Sequence, residues 1–245
     1  MHRDRSSGEP GAVLFWDFDG TLAVREGRWS GALVDAVHQV DPSVALRAEQ
    51  LRPLLQSGFP WHQPDVVVEV TTSAAWWARL RPVVMNAYLT AGITRQVADA
   101  AADLLPATYY CSDAWRLVPD ATSALEHARR SGHRNVIVSN HAPELPNLVR
   151  DLDLSPLIEL TITSAAVGAE KPNPIIFQRA IDLAGADVEK SWMIGDNPVA
   201  DISGAQAVGL RAVLVSPTQP ESAAGGLLAA IATINASNRP RTAKA

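Results

Sequence analysis

Cysteine is almost missing from this chain of 245 residues: Cys111 stands alone. No intrachain disulfide can form, and nothing in the sequence calls for an oxidising compartment. A solitary thiol of this kind reads as a small apolar side chain. Basic residues do not dominate either. Lys and Arg together number 21 against 26 Asp and Glu, a formal net charge of -5, so the clustered positive face that nucleic acid demands is lacking. Long apolar runs are also missing. The longest weakly polar stretch, "AAGGLLAAIATI", falls short of the roughly 18 to 20 residues that cross a bilayer and reads as a surface helix. The charged beginning "MHRDRSSGEPG" does not read as a signal peptide. These absences lead to the expectation of a cytoplasmic protein with neither nucleic acid nor membrane as partner. Whether it is a monomer or a dimer is not encoded in any of these patterns.

What the chain has is 47% hydrophobic residues distributed in short runs. Four of them, "VLFWDFD", "NVIVSN", "LIELTITS" and "SWMIGD", stop at polar residues, and "RAVLV" follows the last. Continuous apolar runs of this length are the mark of strands buried on both faces, and ligands of such sheets collect beyond the strands' carboxyl ends. The segments between them carry helix punctuation. "VPDATSALEHARRSGH" ends at Gly132, and "NPIIFQRAIDLAG" starts with Pro174 and ends at Gly185. "NPVADISGAQAVGL" repeats the scheme. The fold class predicted is α/β, a doubly wound parallel sheet.

Between about Thr21 and Arg116 the pattern changes. No buried strand is legible there, and "SGALVDAVHQV", "SVALRAEQLRPLLQSG", "SAAWWARLRPVVMNAYLTAG" and "TRQVADAAADLLPATYY" read as helices. The reading is a helical subdomain over 22–115, joined through "VREGR" and "RLVPD" to a core made of 11–21 and 116–218. Residues 219–245 are expected to form a C-terminal helix and, in "NASNRPRTAKA", a disordered tail.

The first run ends in "WDFDGT", which puts Asp17 and Asp19 on one side of the extended chain. Residues i and i+2 of a strand share a face about 7 Å apart, so a positive charge belongs between them. Three more polar loops follow other strands. Ser139-Asn140 ends the second, Lys171 lies in "GAEKPNP", and Asp196 and Asp201 lie in "GDNPVAD". Only three lysines accompany eighteen arginines in the chain, which makes Lys171 in its loop an anomaly.

With these four loops in order, the chain from about Val13 to Val215 resembles the haloacid dehalogenase-like hydrolases, more closely their phosphatases with a helical cap inserted after the first strand. The resemblance implies a Rossmann-like core, a Mg²⁺ cofactor, a small phosphorylated metabolite as substrate and a phosphoaspartyl intermediate. By that resemblance Asp17 is the nucleophile and Asp19 the general acid and base. Lys171 balances the charge of Asp17 and of the phosphate. Asp17 and Asp196, with the main-chain carbonyl of Asp19, would bind the metal, and Asp201 would support it or Lys171 from behind. Ser139 and Asn140 would anchor the phosphate, with Gly20 giving backbone freedom and Thr21 a hydroxyl.

In the insertion, Arg25 and Arg28 near the hinge are the candidates for substrate contact. Trp29, Trp61, His62, Trp76, Trp77 and Arg79 could line a pocket, although most of them are expected to pack as core. His141, next to the anchor, stays undecided. The alternatives on the same residues are a phosphomutase acting on a sugar phosphate, a 2-haloacid dehalogenase, and a non-catalytic binding protein.

Overall fold

The computed structural model describes residues 12–68, 72–217 and 225–237. In chain order its strands and α-helices are β1 (Val13–Trp16), β2 (Ala23–Arg25), α1 (Arg28–Val40), α2 (Ala48–Leu51), α3 (Ser73–Thr90), α4 (Arg95–Tyr109), β3 (Trp115–Leu117), α5 (Ala121–Arg130), β4 (Arg134–Ser139), α6 (Leu145–Asp151), β5 (Leu160–Thr163), α7 (Ser164–Val167), α8 (Pro174–Ala184), β6 (Trp192–Gly195), α9 (Gly204–Ala207), β7 (Arg211–Leu214) and α10 (Leu227–Ser237). Five strands form one sheet in the order β5-β4-β1-β6-β7, every pair parallel. The chain therefore builds outward from β1 on one side, then jumps to β6 on the other. Where the order reverses, the loops after β1 and β6 diverge and leave a crevice at the carboxyl edge. The α/β, Rossmann-like sheet read from the sequence is what is present.

Both faces of the sheet are covered. Val13 and Phe15 of β1 join Val136, Val138 and Met193 under Ile176, Phe177 and Ala180 of α8. Leu14 and Trp16 point to the opposite face with Ile137 and Ile194, packed by Leu125 of α5, Leu148 of α6 and Ile231 of α10. That alternation, with every residue of β1 fully buried, is why the strand carries no polar residue before Asp17. Trp16 nevertheless keeps its indole N–H bonded, to Asn135 Oδ1 at 3.0 Å. A fully buried indole needs such a partner.

Two readings of the insertion need correction. The connections around the insertion are not bare links: β2 and β3 pair antiparallel, Ala23 with Leu117 and Arg25 with Trp115. Three residues per strand is too short for periodicity to reveal. The segment "SVALRAEQLRPLLQSG" is helical only in α2 and a 3₁₀ turn at Arg52–Leu55, since Pro53 removes an N–H. The other helices of the insertion are present, α1 and α3 both packing on α4.

The segment "NPVADISGAQAVGL" forms a π-helical turn at Pro198–Ser203 before the short α9. At the C-terminus, α10 buries Leu227, Ala230, Ile231 and Ile234. It also includes Asn235–Ser237, which the sequence assigned to a disordered tail. Asn235 has tertiary partners there: Oδ1 meets His133 Nε2 at 3.1 Å and Nδ2 donates to Ser131 Oγ at 3.1 Å. The expectations for the N-terminal eleven residues and for 238–245 lie outside the described residues. Within the described residues no helix is long and apolar enough to cross a membrane.

Candidate active site

The site starts where β1 stops. The Asp17 N–H donates to the Ile194 carbonyl at 2.9 Å, which ties the first residue past β1 to β6. Phe18 turns inward and is fully buried. Its carbonyl accepts the N–H groups of Thr21, Leu22 and Ala23, and this tight turn fixes Asp17 and Asp19 on either side of an anchored ring. Gly20 has φ +94°, and a Cβ there would stand 2.4 Å from Asp196 Oδ2. Glycine is required for both reasons. Gly195 is needed for the close approach alone, as a Cβ on it would meet Asp201 Oδ2 at 2.2 Å.

Four loops meet at this edge. Asp17 Oδ1 accepts from Ser139 Oγ at 2.8 Å and from Lys171 Nζ at 2.7 Å. Asp17 Oδ2 carries no hydrogen bond among the described residues. Lys171 Nζ also donates to Asp201 Oδ1 at 2.5 Å, and Asp201 Oδ2 accepts the Asn197 N–H at 2.9 Å. Asp196 Oδ1 accepts from Thr21 Oγ1 at 3.3 Å. One carboxylate oxygen each from Asp17, Asp196 and Asp201 lie within 4.8 Å of one another. These groups line a cleft of about 400 Å³, which Arg28 and Trp61 reach from the insertion.

Burial and charge set the proton affinities. The Asp19 carboxyl is pushed up to about 7, first by burial and further by the charges of Asp17 and Asp196, with Arg28 opposing. Its Oδ1 is buried without a partner. Asp196 is also raised, by burial and then by Asp17. Burial works against the Lys171 ammonium, yet the carboxylates of Asp17 and Asp201 outweigh it and hold the lysine charged above its ordinary range. His141 is lowered to about 4, by burial and by Lys171, against the pull of Asp17.

Several predicted site residues take places that the sequence did not specify. The Asn140 side chain is spent on the Lys171 backbone, donating to its carbonyl at 3.0 Å and accepting from its N–H at 2.6 Å. The Gly20 N–H goes to the Ala23 carbonyl at 2.8 Å, and the Thr21 hydroxyl holds Asp196. Arg25 is not brought to the cleft: its side chain is buried and donates to Asp35 Oδ2 at 2.6 Å and to the carbonyls of Glu26 and Thr108. Arg28 does reach it. His62 is exposed, with Nδ1 accepting the Phe59 N–H at 3.3 Å.

Tyr110 was passed over in the sequence. Its hydroxyl meets His141 Nδ1 at 2.6 Å and accepts the Ala142 N–H at 3.1 Å, tying the end of α4 to the loop after β4. The doublet Tyr109-Tyr110, ahead of the chain's return to the core, is the one signal that could have shown it.

The donor set suits a hard divalent cation. Asp17 and Asp196 both have carboxylate lone pairs to spare, all the side-chain donors are carboxylates, and no sulfur or imidazole intrudes among them. The residues present therefore fit Mg²⁺. Asp201, with one oxygen on Lys171 and the other on Asn197 N–H, is the most committed of the three.

Comparison with known proteins places this arrangement. Residues 12–209 match the model of the haloacid dehalogenase-like hydrolase family. The chain is 30% identical to haloacid dehalogenase-like hydrolase domain-containing protein 3 of Mus musculus over 214 residues, 85% of this chain and 83% of that protein. It is 35% identical to phosphoserine phosphatase of Thermus thermophilus over 111 residues, 43% of this chain and 45% of that one. The fold is shared with the magnesium-bound HAD-hydrolase YfnB of Bacillus subtilis, TM-score 0.63 at 18% identity, covering 87% of this chain and 91% of the other. On the strength of the match over 12–209, this chain belongs to the haloacid dehalogenase-like hydrolases.

Proposed function

We propose that the protein is a magnesium-dependent phosphatase acting on a small soluble phosphate monoester in the cytoplasm, through a phosphoaspartate on Asp17. The observation that carries this reading is the unequal treatment of the Asp17 carboxylate. Oδ1 is pinned by Ser139 and Lys171, and Oδ2 is left without a hydrogen bond in a residue that lines the cleft. A nucleophile for in-line phosphoryl transfer needs that combination of fixed orientation and a free oxygen. The phosphoserine phosphatase among the relatives supports the same chemistry.

In the first step Asp17 Oδ2 forms a bond to phosphorus, the ester P–O bond breaks, and its electron pair leaves with the alkoxide, which takes a proton from Asp19. In the second step a water gives a proton back to Asp19 and attacks phosphorus, releasing phosphate and the Asp17 carboxylate. An acid with a proton affinity near 7 serves both directions at neutral pH. Lys171 keeps positive charge against Asp17 throughout, and Ser139 fixes the carboxylate plane. Arg28 is the cation of the insertion that faces the transferring group. Asp17 and Asp196, with the Asp19 carbonyl, would hold the Mg²⁺, which when bound neutralises the repulsion between anionic phosphate and attacking carboxylate. Residues 22–115 would act as the cap over a core of 11–21 and 116–218.

The test is release of inorganic phosphate from p-nitrophenyl phosphate. Wild-type protein with Mg²⁺ should turn over, addition of EDTA should stop it, and Asp17→Asn should be inactive while keeping its circular dichroism spectrum. Full activity of Asp17→Asn, or of wild type in EDTA, overturns the reading.

A further inference from the structure

Beside the carboxylate cleft lies a second, smaller cavity of about 180 Å³, walled by Trp29, Trp61, Trp76, Tyr109, Tyr110 and His141. Trp29 is its central ring, stacked on Tyr109 with centroids 4.3 Å apart and tilted against Trp61 at 5.5 Å. Asp19, Arg28, Trp61 and Asn140 line both cavities. Asp19 is thus the junction. The oxygen that receives its proton sits between the two spaces, and whatever that oxygen carries continues into the aromatic one.

The walls say what can follow. A cavity of about 150 Å³ is enough for benzene, so this one takes a single six-membered ring with a small substituent and not a nucleoside. Flat aromatic walls reward a flat aromatic guest in stacked or edge-on contact. The charged groups of the lining, Asp19 and Arg28, sit at the junction, where they serve the phosphate side. The imidazole of His141 is neutral at ordinary pH and its Nδ1 is engaged with the Tyr110 hydroxyl at 2.6 Å. A carboxylate or second phosphate on the alcohol would find no counter-charge beyond the junction, and the Arg28 guanidinium at the mouth disfavours a fixed cation.

We propose that the preferred substrate is the phosphate monoester of an uncharged alcohol bearing one aromatic ring, with the ring lying in the cavity against the walls that Trp29, Trp76 and Tyr109 form and the ester oxygen at Asp19. This inference rests on the role given to Asp19 above. It departs from an amino-acid phosphate such as phosphoserine, whose alcohol is charged.

The experiment is a binding titration followed by tryptophan fluorescence in Mg²⁺, which needs no turnover. Benzylphosphonate should bind at least tenfold more tightly than ethylphosphonate or choline phosphate. Trp29→Leu, which removes the central ring, and Ala142→Leu, which adds bulk at a fully buried lining position packed with Trp76, should each bring that advantage below threefold. If Trp29→Leu fails to fold, Ala142→Leu and the wild-type ratio still decide. Equal affinities for benzyl- and ethylphosphonate in the wild type, or tighter binding of choline phosphate, overturn the proposal. Hydrolysis of p-nitrophenyl phosphate together with equal phosphonate affinities removes the ring pocket and leaves the phosphatase. A tenfold benzyl preference with no ester hydrolysed does the reverse.

Discussion

Asn140 brackets the main chain of Lys171, with Nδ2 on its carbonyl at 3.0 Å and Oδ1 on its N–H at 2.6 Å. The residue after β4 thereby sets the position of an ammonium carried by a different loop. Asn140→Ala should leave the sheet intact and let the lysine drift, and misplacing a catalytic group costs about 10²-fold. The check is kcat for phosphate release together with the circular dichroism spectrum; wild-type kcat would show that the bracket does not position Lys171.

Lys171 separates two carboxylates that would otherwise repel. Its side chain is 2% exposed and those of Asp17 and Asp201 are 10% and 1% exposed. Lys171→Met leaves those charges uncompensated, and breaking a buried pair in this way costs about 3–5 kcal/mol. Urea unfolding of the metal-free variant should register that loss, and Mg²⁺ should recover more stability for the variant than for the wild type. Phosphate release should fall by two orders of magnitude or more.

Gly20→Ala tests the turn after Asp17. The added Cβ meets Asp196 Oδ2 at 2.4 Å from a backbone with φ +94°, and holding alanine there costs about 1–3 kcal/mol. Because the displaced group is a proposed metal ligand, the Mg²⁺ concentration for half-maximal activity should rise at least tenfold, which a metal titration of activity reads directly.

His141 supplies a pH dependence. Its proton affinity is lowered from 6.5 to about 4, so between those values the unfolded chain binds a proton that the folded chain refuses. Stability from this group is complete above pH 6.5 and is lost as pH falls to 4, a total of about 3 kcal/mol. His141→Gln should flatten the acid side of the stability profile measured by urea unfolding between pH 4 and 7. An unchanged slope would remove His141 as its source.

Asp19 governs the pH dependence of activity. With its carboxyl raised to about 7 by burial and by Asp17 and Asp196, the acid form needed in the first step is depleted as pH rises. The kcat/KM for an alkyl phosphate should decline above about pH 7 with a slope approaching tenfold per unit. A profile flat to pH 9 would take the proton-donor role away from Asp19.

Much of this molecule is written locally. β1, β4 and β6 are legible because strands covered on both faces must be continuously apolar, and the polar residues that end them, Asp17, Ser139 and Asp196, mark the edge where loops collect. α5 and α8 are bounded by Gly132 and Gly185, whose positive φ the chain needs to leave the helix. Other features depend on partners distant in sequence. The β2–β3 ribbon joins residues about ninety positions apart and is too short to carry a period. Asn235 is ordered through His133 and Ser131. The Asn140 amide serves Lys171, Thr21 serves Asp196, and Arg25 turns away to Asp35. A side chain's hydrogen-bond partner is chosen by what the fold brings within about 3 Å, and no reading along the chain supplies that distance. The same holds for the aromatic cavity: Trp29, Trp61 and Trp76 stand out in sequence as residues able either to line a pocket or to pack as core, and only the packing of the insertion onto the loop after β4 leaves a ring-sized space beside Asp19.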